Sequence, residues 1–406
     1  MRDAIGPVAD PGSTASGQLR CIRTVLAAAA MLLLSACGLR LPDPTPYVAG
    51  CAISEVAAPP AGEARFFFLS SALPDCRNAT LELAAFRHPT LTHGTGLYSW
   101  KNPRKPTVAA PREVMPPVLA QHARAQWLAA IDEQMATPEA QGRLLVFIHG
   151  YNTTFDEAHE MAARIGALAG EEIPLVLLHW PSRAHPLSYA IDEATVSWAQ
   201  GPLDEALAEL SARADDITVV AHSMGARTAI RSVLSLDSFR RAQPDRVRRI
   251  VLASADEDRD RVLRPGGSVD LMLRHKRQIL IYSSYRDTPL DLSRRAHGYA
   301  RLGSTDCQHD ILYEKRILGK HGNCHRTAPR EGLAPVSTSR IDPADHYDHS
   351  DFIEDCRTRA DFRAFLRGEP PPPFRINISE GDLVGYEIAP DGLDPDGLCS
   401  DNTDPD

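Results

Sequence analysis

A serine flanked by small residues follows a β-branched run in the middle of the chain. Residues 217–221 lead through His222 into Ser223, and Met224 and Gly225 follow. Where a buried strand turns sharply into a helix, a serine at the turn is held in a strained backbone conformation, and a large residue two positions away would collide with the turn. The pattern therefore predicts a nucleophilic serine, with an ordinary helix N-cap serine as the alternative.

A serine hydroxyl is a weak nucleophile at neutral pH, so it needs a base that takes its proton and a carboxylate that orients the base. Asp287 follows a predicted strand at 279–284, and Asp256 follows one at 249–253. Chain order and strand position favour Asp287 as the acid, and Asp256 is the alternative acid. His349 lies just before the last predicted helix, where we expect the base.

Two backbone N–H groups are needed to stabilise the oxyanion of a tetrahedral intermediate, and losing one typically costs about 10²–10³ in rate. We expect Met224, directly after the serine, to supply one. Tyr151 is expected to supply the other, because Gly150 lets the chain turn tightly before it. Asn152 and Trp180 are candidates for the substrate pocket. No cofactor or metal is expected for this chemistry.

Strands and helices must alternate to position these residues, and such an alternation begins at Leu144. Continuous apolar runs predict buried parallel strands, and segments with helical periodicity lie between them. The predicted strands are 144–148, 174–180, 217–221, 249–253 and 278–282, and the predicted helices are 155–169, 203–214, 226–234 and 352–366. This order predicts an α/β fold with a doubly wound, mostly parallel sheet and helices on both faces, which binds ligands at the carboxyl ends of the strands.

The chain resembles a poorly characterised alpha/beta-hydrolase family of esterase- and lipase-like proteins without a defined substrate. The resemblance covers about residues 66–365 and rests on several separate motifs. They are 146–152, 180–182 followed by Tyr189 and Asp192, the serine motif, the Asp256 segment, 283–287, 301–303 and 349–350. The resemblance implies the alpha/beta-hydrolase fold and a triad of Ser223, Asp287 and His349. Asp351 and a cysteine-bearing insertion before His349 depart from the family pattern.

The N-terminal segment carries an export signal. Arg20 and Arg23 precede an apolar run at 24–36 that is too short to span a bilayer and has the length of a signal-peptide core. The run ends in Leu-Ser-Ala before Cys37, which resembles the bacterial lipobox, so we expect a lipid anchor at Cys37. An ordinary cleaved signal peptide is the alternative. Gly38 indicates sorting to the outer membrane, facing the periplasm of the cell envelope.

Composition divides the chain into four parts. A Pro-, Ala- and Gly-rich tether follows the signal peptide, and an acidic, Pro-rich tail follows the last helix. A strand at 66–69, then loops or small strands, then a helix at 117–135 are expected before the regular alternation. The predicted parts are signal peptide 1–36, tether 37–64, hydrolase domain 65–368 with a possible lid or insertion at 290–345, and tail 369–406.

Six cysteines remain when Cys21 of the predicted signal peptide and the predicted lipidation site Cys37 are set aside, and an even number suits three disulfides in an oxidising compartment. Pairing near neighbours predicts the bonds Cys51–Cys76, Cys307–Cys324 and Cys356–Cys399. Zinc binding is the weaker alternative, because the chain has no C-x2-C pair.

Charge narrows the functional class. The formal net charge is -9, and the last segment from Ile376 onward holds nine acidic residues and no Lys or Arg. Basic residues elsewhere are scattered, so nucleic-acid binding is disfavoured. We expect a serine hydrolase that cleaves a small or lipid-like carboxylic ester or thioester. Acyl transfer by the same triad and a non-catalytic envelope scaffold are the alternatives.

Overall fold

The computed structural model describes residues 51–77, 80–100, 114–305, 326–341, 347–389 and 399 of the chain. The predicted signal peptide, Cys37 and the predicted disulfide Cys307–Cys324 lie outside these residues. The chain divides into Met1–Pro46 and Tyr47–Asp406, and every described residue belongs to the second unit. No helix within the described ranges has the length and hydropathy needed to cross a membrane.

One sheet contains all the strands named in the described part of the chain. They are β1 (Ala64–Asp75), β2 (Glu82–Tyr98), β3 (Val118–Gln121), β4 (Arg143–Ile148), β5 (Leu175–His179), β6 (Asp216–His222), β7 (Val247–Ala253), β8 (Gln278–Ser283), β9 (Leu333–Ser337), β10 (Arg375–Asn377) and β11 (Tyr386–Ile388). Their order is β10-β11-β9-β8-β7-β6-β4-β5-β1-β2-β3. The sheet is parallel from β11 to β1, whereas β2, β3 and β10 are antiparallel additions.

Helices cover both faces of this sheet. They are α1 (Arg124–Met135), α2 (Phe155–Ala169), α3 (Tyr189–Ser211), α4 (Gly225–Ser235), α5 (Arg259–Leu263), α6 (Ser268–Leu273), α7 (Thr288–His297), α8 (Asp351–Glu354) and α9 (Cys356–Arg367). Val146 and Ile148 of β4 pack in one core layer with α1, α3 and α4, while Leu145 and Phe147 pack in the other with α2 and α9. A strand buried on both faces reads as a continuous apolar run, so the predicted doubly wound fold is confirmed.

Local signals explain where several helices begin. Thr154 caps α2, and its hydroxyl and the Glu157 carboxylate form a reciprocal capping box. Asp355 caps α9 by accepting the Thr358 N–H at 2.9 Å, and Gly368 ends that helix with a left-handed backbone. These caps fix the ends of the two helices that cover the second face.

Three predictions in the first half of the domain were wrong in detail. The helix predicted at 117–135 begins only at Arg124, because residues 118–121 form β3. The stretch predicted as loops or small strands contains β2, a strand of 17 residues whose side chains are mostly half-exposed or exposed and therefore show no apolar run. The helix predicted from residue 203 begins instead at Tyr189. Pro202 lies inside this helix, and prolines are normally tolerated only in the first turn, so the sequence does not indicate that the helix continues before it.

The sheet also extends into regions that the sequence assigned elsewhere. Strands β10 and β11 lie in the predicted tail 369–406, and β11 pairs with β9 through Tyr386 and Val336. Strand β9 lies in the possible lid 290–345, where it pairs along its length with β8. That part of the insertion is therefore sheet rather than lid. Three-residue strands such as β10 and β11 are too short to give a periodic pattern.

Two of the three predicted disulfides are present in the described residues. Cys51 bonds to Cys76, and Cys356 bonds to Cys399. The first bond ties the middle of the predicted tether to the residue that follows β1, and Ile53 also forms a bridge with Gln121 of β3. The domain therefore begins earlier than residue 65.

Candidate active site

Ser223 lies at a sharp turn between β6 and α4. Its φ of 52° is in the left-handed region, which is uncommon for a residue other than glycine. Such a conformation costs about 1–3 kcal/mol and persists only where the surroundings hold it. The Ser223 N–H donates to the Ala253 carbonyl of β7 at 3.0 Å, and this bond fixes one side of the turn. The strained serine expected from the motif is therefore observed.

Small residues are required around Ser223 because the backbone of neighbouring elements approaches closely. A Cβ atom on Gly225 would lie 2.3 Å from the His149 carbonyl oxygen at the end of β4. A Cβ atom on Gly150 would lie 2.7 Å from the Cβ atom of Ser223. The turn at the serine and the loop after β4 therefore pack against each other without room for larger side chains.

The structure brings His349 and Asp287 together. The Nδ1 atom of His349 lies 2.9 Å from Oδ1 and 2.8 Å from Oδ2 of Asp287. A carboxylate only accepts hydrogen bonds, so Nδ1 carries a proton, and in the neutral ring Nε2 then keeps a lone pair. An imidazole in this tautomer can act as a base through Nε2.

Asp287 is fixed from several sides. It is the N-cap of α7, because its Oδ1 atom accepts the Leu290 N–H at 2.9 Å. Burial raises the pKa of Asp287, while the charge and hydrogen bond of His349, the Leu290 N–H and the Ser254 hydroxyl act to lower it. The carboxylate therefore has a defined orientation towards His349.

His222 connects the serine turn to the loop of His349. Its Nε2 atom lies 3.0 Å from the His349 carbonyl oxygen, so Nε2 donates the proton, and the two rings are 4.7 Å apart. Burial and the nearby His349 lower the pKa of His222 to about 3. His222 thus stays neutral and is a structural neighbour of the site.

His149 shapes the loop that carries Tyr151. Burial lowers the pKa of His149 to about 4, so the ring is neutral. Its Nδ1 atom lies 2.9 Å from the Gly150 carbonyl and donates to it, and Nε2 accepts the Trp180 N–H at 3.2 Å. In a trans peptide the C=O and the next N–H point in opposite directions, so the Tyr151 N–H points away from the His149 ring. This orientation is compatible with an oxyanion donor at Tyr151.

The loop after Tyr151 is held by a buried carboxylate. Asp192 accepts hydrogen bonds from Ser182 Oγ at 2.6 Å, from the Arg183 N–H at 2.9 Å and from the Asn152 N–H. Asn152 itself is exposed and has a φ of 54°. Its backbone supports the loop, and its side chain remains a predicted pocket residue.

Trp180 does not line an accessible pocket, contrary to the sequence expectation. Its side chain is fully buried in the core, stacks on the His149 ring at 5.0 Å and donates its indole N–H to the His149 carbonyl at 3.1 Å. A tryptophan at the end of a strand can be a pocket residue or a core residue, and only the packing of its side chain distinguishes these two roles.

Asp256 is part of a buried ionic cluster and is not the partner of His349. Its carboxylate accepts hydrogen bonds from Tyr189 and Ser293 and pairs with Arg227 and Arg301. The geometry therefore favours Asp287 over Asp256 as the acid. Sequence reasoning missed this cluster, although Tyr189 and Arg301 were among the motif residues without an assigned role.

Metal ligation has no candidate in the described part of the chain, since no group of three or more His, Cys, Asp or Glu residues there could hold an ion.

Comparison with known protein families places the chain among the alpha/beta hydrolases. A sequence model of the family described as alpha/beta hydrolase of unknown function (DUF900) matches residues 123–340, a region that contains Ser223 and Asp287 but ends before His349. No curated protein sequence matches the chain.

Solved structures of hydrolases also resemble the chain, at low similarity. A structure described with the metagenome-derived lipolytic enzymes LipS and LipT is 17% identical, over 40% of this chain and 80% of that one, with a TM-score of 0.25. The RedJ thioesterase of the prodiginine biosynthetic pathway in Streptomyces coelicolor is 19% identical, over 58% of this chain and 83% of that one, with a TM-score of 0.24.

Proposed function

Because the chain belongs to the alpha/beta hydrolases of unknown function (DUF900), we propose that it is a serine hydrolase that cleaves a carboxylic ester or thioester. The observation that carries the proposal is the hydrogen bond between His349 Nδ1 and Asp287, in a loop that His222, the residue before the strained Ser223, contacts at 3.0 Å. This arrangement supports a base whose free nitrogen is Nε2 and whose partner is the serine hydroxyl.

In the first half of the reaction, the Ser223 oxygen attacks the carbonyl carbon of the substrate while His349 Nε2 takes the hydroxyl proton. The carbonyl π electrons move to oxygen, and the Tyr151 and Met224 N–H groups stabilise the resulting oxyanion. Asp287 stabilises the imidazolium form of His349. The tetrahedral intermediate then collapses, the bond to the alcohol or thiol breaks, and the leaving group receives the proton from His349.

In the second half, water replaces the leaving group. His349 takes a proton from the water, whose oxygen attacks the acyl carbon bound to Ser223. Collapse of this second intermediate releases the carboxylic acid and returns the proton to the Ser223 oxygen. No cofactor takes part in either half.

We also propose that a lipid at Cys37 anchors the protein in the bacterial cell envelope, at the outer membrane facing the periplasm. The disulfides Cys51–Cys76 and Cys356–Cys399 support an oxidising compartment. Expression of the full chain in a bacterial host followed by membrane fractionation tests this proposal. A Cys37→Ala variant should move to the soluble fraction, and its retention in membranes would contradict the lipid anchor.

The proposed activity is tested by hydrolysis of a short-chain aryl ester and of a short-chain acyl thioester. The wild-type protein should release product, and Ser223→Ala should lose this activity while keeping its melting temperature. Ser232→Ala is the matched control, because Ser232 is buried on α4 and bonds to Asp204 rather than to the site. A folded wild-type protein without hydrolysis of either substrate would support the non-catalytic scaffold instead.

A further inference from the structure

The loop after β7 contacts the proposed nucleophile and the proposed acid at once. The Asp256 N–H donates to the Ser223 carbonyl at 3.0 Å, and the Ala253 carbonyl accepts the Ser223 N–H at 3.0 Å. Two residues before Asp256, the Ser254 side chain bonds to Asp287. The end of β7 and the loop that follows it thus connect the backbone of the serine turn to the carboxylate that orients His349.

Asp256 is in turn held by a cluster of buried donors. Its carboxylate accepts bonds from Tyr189 Oη (2.5 Å), Ser293 Oγ (2.6 Å), Arg301 Nε (2.7 Å) and Arg227 Nη2 (3.1 Å). The two arginines also donate to its backbone carbonyl, at 2.5 Å from Arg227 and 3.0 Å from Arg301. Burial raises the pKa of Asp256, but the charges of Arg301 and Arg227 outweigh burial and lower it to about 2. The carboxylate is therefore charged, paired and fixed in position.

The back of the loop is closed by the segment that follows Arg301. The Gly303 N–H donates to the Ala255 carbonyl at 2.9 Å, and a Cβ atom on Gly303 would lie 2.2 Å from the Ala255 nitrogen. Ser254 has a φ of 46°, so it is held in the left-handed region like Ser223. Strained residues persist only where their surroundings determine their conformation. Here Ser254 lies in the loop after β7, and Ser223 is hydrogen-bonded to the same loop through Asp256.

We propose that Ser254 and Asp256 are positioning residues of the hydrolase: Ser254 orients Asp287 towards His349, and Asp256, clamped by Arg227 and Arg301, holds the backbone of Ser223 in its strained turn. This inference rests on the proposed serine hydrolase function. It gives the alternative acid Asp256 a role that does not require contact with substrate or with His349.

Ser254→Gly tests the first half of the proposal. Glycine removes the hydroxyl and relieves the positive φ, so a fold-stabilising role alone predicts a variant that is as active as the wild type. We expect instead that kcat falls about 10–100-fold, the effect of losing a hydrogen bond to a charged group, while KM is unchanged. The bond favours the charged form of Asp287, so its loss should also move the acidic limb of the pH–kcat profile to higher pH. Ser232→Ala controls for the loss of a buried hydroxyl bonded to a carboxylate.

Arg301→Lys tests the second half. Lysine keeps the charge next to Asp256 but cannot bond the carboxylate and the carbonyl together as the guanidinium does. We expect kcat to fall about tenfold with an unchanged KM, and the pH profile to stay in place because Asp287 keeps its partners. Labelling of Ser223 by a fluorophosphonate probe should slow by the same factor.

The outcomes separate this inference from the proposed function. If Ser223→Ala abolishes hydrolysis while Ser254→Gly and Arg301→Lys keep the wild-type kcat and pH profile, the positioning role is overturned and the hydrolase stands. If Ser254→Gly loses kcat without a shift of the acidic limb, its link to Asp287 is wrong. If the folded wild type neither hydrolyses ester or thioester nor reacts with the probe, the proposed function fails and this inference fails with it.

Discussion

The Asp287→Asn variant changes the chemistry of the proposed acid without changing its shape. In the native site, Asp287 contacts His349 Nδ1 at 2.9 and 2.8 Å and caps α7 by accepting the Leu290 N–H at 2.9 Å. Asparagine caps helices about as well as aspartate, so the free energy of unfolding should change by less than about 1 kcal/mol. Neutralising a fully buried carboxyl also removes a desolvation cost, since burial raises the pKa of Asp287.

The Asp287→Asn variant changes the tautomer of His349. With the amide oxygen retained by the Leu290 N–H, the amide NH2 faces His349 Nδ1 and needs an acceptor there. The imidazole then carries its proton on Nε2 and cannot take the proton of Ser223. We expect kcat to fall about 10⁴-fold, which corresponds to about 5.5 kcal/mol of transition-state stabilisation.

Steady-state hydrolysis of a short-chain aryl ester measures this loss, and thermal unfolding measures the fold. Asp258→Asn is the matched control, because Asp258 caps α5 by accepting the Arg261 N–H at 3.0 Å outside the site. It should keep wild-type activity. An Asp287→Asn protein that folds normally and loses less than about tenfold in kcat would refute the assignment of Asp287 as the acid.

Three further predictions concern packing, pH and the disulfides. Gly225→Ala places a Cβ atom 2.3 Å from the His149 carbonyl oxygen just after β4, so it should cost about 1–3 kcal/mol in stability and lower kcat; an unchanged melting temperature would contradict the close packing. His159 is buried with a pKa lowered to about 4, and the unfolded state binds its proton more readily, so stability is lost as pH falls from about 6.5 towards 4. His159→Phe should therefore recover about 2 kcal/mol at pH 5 relative to pH 7, and parallel urea titrations that differ by no such amount would reject this. Replacing Cys356 and Cys399 by alanine opens a loop with a sequence separation of 43 and should cost about 4 kcal/mol in chain entropy, measured as a lower urea midpoint under oxidising conditions; a midpoint equal to wild type argues against the bond.

The central sheet could be predicted from the sequence because its strands are buried on both faces. Strand β4 is largely an apolar run and β6 is rich in β-branched residues, and the order of strands and helices then determined where Ser223, Asp287 and His349 must lie. The left-handed backbone of Ser223 followed from the small residues around it. Local composition carried enough information for these features.

Features that depend on contacts between distant segments could not be predicted. Strand β11, in the predicted tail, pairs with β9, in the region predicted as a possible lid, and neither segment has a local sequence pattern that predicts the pairing. Trp180 follows a strand as a pocket residue would, and only its stacking on His149 makes it a core residue. The ion pair between Asp256 and Arg301 joins residues 45 positions apart, so its partners were visible only as separate motifs.

The central claim is that Ser223 is the nucleophile, and covalent labelling tests it most directly. The folded protein should be incubated with a fluorophosphonate probe, digested and examined by mass spectrometry for the modified peptide. We predict one adduct on Ser223 that is absent from Ser223→Ala and forms at a normal rate in the Ser232→Ala control. An adduct on a different residue, or an unmodified Ser223 in a folded protein, would contradict the claim.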